Sequence, residues 1–311
     1  DGVRIGVLGD GRRELRPITV ATFESAYRHA VRFGHRFALV VVDEAHHFGS
    51  GARAEALERC FAPARLGLTA TLPEDPAAVA RLRGLIGPVV CRYATTELCG
   101  EHLAPFDRIQ LFVDLDGDER RVYDEAWRCY ASAYRAFVWD GGTGWPAVVA
   151  PAGATPVGRR ALHGFAESRR VVSTARAKLA LVQSLLRRHA DDRLLIFTAD
   201  NSAAYTLSRR LLIPAITCDI VRAERAAVLE RLRQGRLRAL ISSRVLNEGI
   251  DLPEARVGII VGGAQGRREH VQRVGRLLRP RPGKRAVIYE LIARDTFEVG
   301  HASRRQRALV A

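Results

Sequence analysis

Two adjacent carboxylates, Asp43 and Glu44, close the apolar run Val40-Val41-Val42 and are followed by Ala45 and His46. At a strand end, one carboxylate of such a pair can hold Mg²⁺ through water while its neighbour polarises an attacking water. That is the form of a Walker B strand, half of an NTP-hydrolysing site. The other half is a phosphate-cradling loop of the form G-x-x-x-x-G-K-[ST], and no such loop occurs in the 311 residues. Two solvated acids at an ordinary strand terminus would look the same in isolation, so the meaning of the pair rests on the residues downstream of it.

Three further blocks come after it in order. Thr69 and Thr71 flank Ala70 at the end of an apolar strand, 26 residues beyond Asp43, where hydroxyls can link a hydrolysis site to a nucleic-acid track. An ordinary strand-to-loop cap is the competing reading. Ser242, Ser243 and Arg244 close another strand and lead through Asn247 and Glu248 to Gly249-Ile250-Asp251-Leu252-Pro253. Hydroxyls and backbone N–H groups of that kind suit DNA phosphates, and Asp251 suits a nucleotide ribose; a Gly/Pro loop with incidental acids is the plainer alternative. Last comes Gln272-Arg273-Val274-Gly275-Arg276-Leu277-Leu278-Arg279-Pro280. Arg276 and Arg279 stand three apart, hence on one helical face, where two guanidinium groups can reach a γ-phosphate in the manner of an arginine finger. His46 and His47 have no third ligand at a metal-binding spacing, so zinc is not expected.

The elements that must position these residues alternate between short apolar strands and helical patterns, the rhythm of a parallel α/β sheet. Strands are expected at 18–22, 37–42 (buried on both faces, as parallel strands are) and 66–71, with helices at 23–33 and 77–85. Residues 88–107 read as a connector, and a fresh strand at 109–113 opens a second domain, which places the boundary between 107 and 108. A helix is expected at 118–140, then a Gly/Pro/Ala-rich loop reaching Gly158. The rhythm resumes with a helix at 175–190, a strand at 194–198, a helix at 202–211, strands at 239–242 and 257–262, a helix at 269–278 and a strand at 286–291. Within the 118–140 helix, Tyr123, Trp127, Tyr130, Tyr134 and Phe137 recur at spacings of four and three, interleaved with Arg120, Arg121, Arg128 and Arg135. Burial against the domain is the favoured reading of that stripe; rings stacking on single-stranded bases is the alternative.

Composition narrows the partners. The formal charge is +15, from 49 basic against 34 acidic residues, and Lys178 and Lys284 are the only lysines, leaving 49 − 2 = 47 arginines. A GC-rich genome accounts for arginine over lysine; the net positive field itself draws polyanions, and nucleic acid fits better than a membrane surface. Five scattered cysteines (Cys60, Cys91, Cys99, Cys129, Cys218) with no C-x-x-C pair indicate neither a disulfide framework nor a zinc or iron–sulfur site. Apolar runs are too short to span a bilayer, and the expected location is cytoplasmic, nucleoid-associated if the source is prokaryotic. Asp1 in place of methionine is expected of a fragment.

In this order and spacing the four blocks resemble superfamily 2 helicases, and in particular the XPB type in its short archaeal and bacterial form. The likeness is carried by Gly11-Arg12-Arg13-Glu14-Leu15-Arg16-Pro17-Ile18-Thr19-Val20-Ala21-Thr22, by Asp43-Glu44-Ala45-His46-His47 and by Arg65-Leu66-Gly67-Leu68-Thr69-Ala70-Thr71. It continues through Leu212-Ile213-Pro214-Ala215-Ile216-Thr217, residues 245–253 and 272–280, and Tyr289-Glu290-Leu291-Ile292. The resemblance implies two RecA-like α/β domains, the first lacking its opening segment, with a helical thumb-like insertion at about 118–170. It implies an ATP- and Mg²⁺-dependent 3′→5′ DNA translocase or helicase in DNA repair or transcription. Asp43 would hold the metal, Glu44 act as general base, and Arg276 with Arg279 stabilise the γ-phosphate. Gly249, Asp251 and Gln272 would line the nucleotide, with His46 as a coupling residue facing Gln272. Thr22, Ser242, Ser243 and Arg244 would touch DNA, and Thr69 and Thr71 would couple the two sites. A monomeric motor with a nuclease partner is expected. The family's Arg-Glu-Asp triplet is replaced here by Pro73-Glu74-Asp75, which makes translocation a firmer expectation than strand separation. Two alternatives stay open: the motor of a restriction-type translocase, and a nucleic-acid-binding module that hydrolyses nothing.

Overall fold

The computed structural model describes residues 3–50, 54–93, 97, 104–139, 152–243, 255–262 and 285–310, with backbone alone at 137–139 and 305–310. The chain divides into two compact units, residues 1–93 and 94–311.

The first unit opens with a hairpin that sequence periodicity does not announce. Strands β1 (Gly6–Gly9) and β2 (Arg12–Glu14) run antiparallel, and β3 (Thr19–Ala21) lies parallel to β1 on its other side. The turn is Asp10-Gly11, both at positive φ (56° and 80°), the left-handed geometry that a two-residue hairpin of the right twist requires and that Asp-Gly supplies at low cost. Helix α1 (Phe23–Phe33) starts at an N-cap, Thr22, whose side chain accepts from the Ser25 N–H. Strands β4 (Leu39–Val42) and β5 (Ala64–Gly67) pair in parallel, and Val42, Ala45, Phe48, Leu57 and Leu82 form the core beneath them. That core includes helices α2 (Glu55–Glu58) and α3 (Pro76–Leu85).

β4 is not buried on both faces as expected. Val40 and Val42 face the core, while Leu39 and Val41 are about half exposed (53% and 52%). The cause is local: β4 and β5 form a two-stranded sheet whose helices cover one side, so alternate residues meet solvent. β5 likewise ends at Gly67, leaving Thr69 and Thr71 in the turn beyond it.

The second unit is built on a six-stranded sheet in the order β6-β11-β10-β7-β9-β8, every adjacent pair parallel. Its strands are β6 (Phe106–Val113), β7 (Leu194–Phe197), β8 (Ala215–Ile216), β9 (Ala239–Ser242), β10 (Val257–Ile260) and β11 (Ala286–Ala293). Side chains alternate between two cores, as strand geometry dictates. Leu195, Phe197, Leu240 and Ile288 pack with Leu229 and Leu232 of helix α8 (Arg222–Arg233). Leu194, Ile196, Ile241 and Ile259 pack with Val182 and Leu185 of α6 (Arg176–Arg188) and with Ala204 and Leu207 of α7 (Asn201–Leu211). Helices thus cover both faces, and the expected α/β class is what forms.

The long helix α4 (Gly117–Trp139) packs against α5 (Pro156–Ser173). The approach is close: a Cβ on Gly164 would lie 2.6 Å from the Ala126 carbonyl oxygen. The expected loop to Gly158 gives way to helix from Pro156, because Thr155 caps the Gly158 N–H and Pro156 sits in the first turn, where its missing N–H is no loss. Helix α9 (Phe297–Val310) closes the chain. Among the described residues no helix is long and apolar enough to cross a membrane, and no group of histidines, cysteines and acids could hold a metal through three side chains.

Candidate nucleotide-hydrolysis and DNA-contact sites

The parallel pairing of β4 with β5 brings the two first-unit motifs together. Register places Val42 opposite Gly67, and the ladder continues past both strands through Leu68 N–H to Val42 O (2.8 Å) and Ala45 N–H to Leu68 O (2.9 Å). Asp43 and Glu44 are therefore delivered beside Thr69.

Asp43 is exposed, and its Oδ1 accepts from the Glu44 N–H at 2.9 Å. Glu44 adopts φ 50°, the left-handed region, which costs a non-glycine residue on the order of 1–2 kcal/mol. The two flanking ladder bonds hold the backbone in place around that residue. Its Oε2 lies 3.3 Å from Nδ1 of His46, a ring only 2% exposed. The same Nδ1 is 3.0 Å from Thr69 Oγ1. Because the Thr69 hydroxyl donates to the Thr71 carbonyl (2.9 Å), it must accept from His46, so Nδ1 carries the proton. A hydrogen-bonded run, His46–Thr69–Thr71, links the ring that lies beside the Glu44 carboxylate to the following turn. His47 is exposed, with its ring beside His46 (4.1 Å between centroids) and against Phe23 (6.0 Å). Phe23 also meets Phe48 edge-on at 5.3 Å, so the residue after Thr22 packs directly on the segment after Glu44.

Asp75 of the Pro73-Glu74-Asp75 stretch is the N-cap of α3, accepting from Ala77 N–H at 3.0 Å. Thr22 is exposed; its hydroxyl donates to Ser25 Oγ at 3.0 Å.

In the second unit Ser242 and Ser243 sit at the end of β9, but neither hydroxyl reaches the surface: the residues are 1% and 0% exposed. Ser243 donates to Asn201 Oδ1 at 2.6 Å, and Asn201 Nδ2 donates to Asp219 Oδ2 (2.9 Å) and to Cys218 Sγ (3.0 Å). Asn201 was not singled out from sequence; the signal available was the Asp200 N-cap directly after the buried strand β7. Arg244, Gly249, Asp251, Gln272, Arg276 and Arg279, together with the helix expected at 269–278, lie outside the described residues.

The α4 aromatic stripe divides along its length. Tyr123 is buried, its hydroxyl accepting from Phe297 N–H at 3.0 Å, and burial pushes the phenol up to about 12. Trp127 stacks on Tyr123 and Phe297 with centroids 6.1 and 5.6 Å apart, whereas Tyr134 is exposed. Phe137 falls among the side chains that are not described.

Solved structures share this architecture. Yeast (S. cerevisiae) Dbp5 bound to RNA and ADP BeF3 superposes with a TM-score of 0.61 at 15% identity, over 98% of this chain and 68% of that one. At that identity the likeness is one of fold, a RecA-like α/β architecture. A family model described as the ERCC3/RAD25/XPB C-terminal helicase matches residues 163–311, and one described as the type III restriction enzyme, res subunit, matches 5–74. The DNA 3′-5′ translocase XPB2 of Sulfurisphaera tokodaii is 32% identical over 97% of this chain and 69% of its own length. The DNA 3′-5′ helicase XPB of Mycobacterium tuberculosis is 30% identical over 98% of this chain, which spans 51% of that relative. The chain belongs to the XPB family of DNA helicases and translocases.

Proposed function

We propose that the protein containing this chain is an ATP-driven 3′→5′ DNA translocase or helicase of the XPB type, acting in DNA repair or transcription. The observation that carries this reading is the placement of Glu44 beside His46, which is itself hydrogen-bonded to Thr69, at the paired ends of β4 and β5. It stands in a sequence 32% identical to an XPB2 translocase over 97% of its length.

The exposed Asp43 carboxylate is a hard oxygen donor at a strand end, which fits Mg²⁺. When bound with ATP, the ion would supply charge neutralisation at the phosphates. Glu44 orients the attacking water and accepts its proton. His46 holds Glu44 and, through Thr69, makes the carboxylate position sensitive to the turn carrying Thr71. Gly249, Asp251 and Gln272 are assigned to the nucleotide, and Arg276 with Arg279 to the charge that develops on the γ-phosphate. Of the hydroxyls assigned to DNA, Thr22 is the exposed one and takes the direct phosphate contact. Ser243 orients Asn201 at the head of α7, Ser242 closes β9, and Arg244 is assigned to the DNA backbone. A monomeric motor with a nuclease partner completes the reading, tested by sedimentation of the protein alone and by co-purification from its source.

The decisive measurement is DNA-stimulated ATPase activity of the full-length protein. Glu44→Gln should lower the rate by at least about 100-fold, the scale of a lost general base, while leaving DNA affinity intact. Equal rates in both proteins would remove Glu44 from the mechanism, and an inactive wild type that still binds DNA would favour the non-hydrolysing module. The res-subunit match at residues 5–74 keeps a restriction-type motor as the second reading. Directional translocation without any cleavage of the track by the purified full-length protein argues against it.

A further inference from the structure

The basic hairpin at the head of the first unit has no part in the roles above. Its turn, Asp10-Gly11, is fixed by two positive φ angles, so the hairpin is a shaped projection of the sheet. Arg12 and Arg13 come next, both exposed, and neither guanidinium group has a hydrogen bond or ion pair among the described residues. They are not equivalent. Arg12 is the cross-strand partner of Gly9, and Arg13 of Leu8. Directly opposed residues share a face and successive residues alternate, so the two guanidinium groups leave on opposite sides.

The Gly9 side is the side of Thr22. A Cβ placed on Gly9 would lie 2.8 Å from Thr22 Cγ2 and 3.2 Å from its hydroxyl oxygen. With Gly9 at φ 147° as well, glycine there lets the N-cap of α1 settle against the hairpin. Arg12 therefore emerges on the face that holds Thr22 and the first N–H groups of an 11-residue helix, which carry partial positive charge. Of the acids around it, Asp10 stands in the turn itself, Glu14 is neutralised by Arg16 through bonds of 2.7 and 2.9 Å, and Glu24 of the helix's first turn is bound by Arg28 at 2.9 Å. With Glu14 and Glu24 paired elsewhere, the face sets the exposed Arg12 charge beside a surface hydroxyl, which is the chemistry of a phosphodiester contact.

We propose that Arg12 binds a DNA backbone phosphate next to the one met by Thr22, so that the hairpin extends the DNA track in the first unit. The proposal rests on the DNA-motor reading. Arg13, on the other face, takes no part.

The test is binding of a fluorescently labelled single-stranded oligonucleotide to the full-length protein across a salt series, without nucleotide. Arg12→Gln should weaken binding and flatten the plot of log affinity against log salt by about 0.7, one single-strand phosphate contact. Arg12→Lys should keep the wild-type slope, and Arg13→Gln should match wild type in slope and affinity. A wild-type slope in Arg12→Gln overturns the contact, as does equal flattening in Arg13→Gln, which would mark a diffuse field. A wild type that binds DNA weakly and without salt dependence would overturn the motor reading itself, an outcome distinct from either.

Discussion

Glu44 occupies a left-handed backbone state while its carboxylate lies 3.3 Å from a buried histidine. Both features place a charged group where ordinary chain preferences would not, and such residues concentrate at sites that work. The acid pair and the two threonines were legible as types at a spacing. The route between them was not, because a histidine that bonds a hydroxyl 23 residues away is set by strand register. Burial also separates hydroxyls that look alike in sequence, sealing Ser243 and exposing Thr22. Tyr123 gives the residue scale a pH test. Burial raises its phenol from 10 to about 12, outweighing the opposing Phe297 N–H and Arg120. The folded state thus holds the proton more tightly than the unfolded chain, so this stabilisation is complete below pH 10 and is lost as pH rises through about 12. Tyr123→Phe lacks that titration but strands the Phe297 N–H, costing about 1 kcal/mol near neutrality. Urea midpoints should show the wild-type advantage shrinking across that alkaline window; an advantage constant in pH would contradict it.

At the scale of elements, legibility followed periodicity. Helix α1 and strand β9 form over the residues expected, since one has an amphipathic pattern behind a threonine cap and the other an apolar run between polar turns. The β1–β2 hairpin was not read, although Asp10-Gly11 is a hairpin signal, because strands of four and three residues rich in Gly and Arg carry no alternation. The second-face exposure of β4 was hidden as well: a run of valines reads the same whether one or both faces are covered. The α4 stripe shows how one pattern serves two environments, passing from buried Tyr123 to exposed Tyr134. Trp127 lies on the inner side, stacked on Phe297. Trp127→Ala should therefore cost about 3 kcal/mol, and Tyr134→Ala no more than about 0.5 kcal/mol, measured by urea unfolding of each variant. Equal losses would mean the stripe is packed uniformly. Loss of single-strand affinity confined to Tyr134→Ala would assign the exposed ring to DNA.

Over the whole molecule the excess of 49 basic over 34 acidic residues speaks for a polyanionic partner, yet one basic residue contributes nothing to that surface field. Lys178 is fully buried, with Nζ 2.6 Å from Glu298 Oε2 and 2.7 Å from the Val261 carbonyl. Glu298 also accepts from the Ala293 N–H at 2.9 Å. The pair joins α6, the end of β10, the end of β11 and the start of α9, across sequence separations of 83 and 120 residues. No local pattern could reveal it, since composition assigns every lysine to solvent. An ion pair this deep costs desolvation on both sides, so its net contribution is small while the penalty for breaking it is large. Lys178→Met should destabilise the second unit by about 3–5 kcal/mol by stranding the Glu298 carboxylate. Adding Glu298→Leu should recover most of that loss, because two apolar side chains of similar volume remove the buried charge altogether. Urea unfolding of the two single variants and the double variant forms the cycle. Losses that simply add would show that the pair acts through packing, with the charges playing no part.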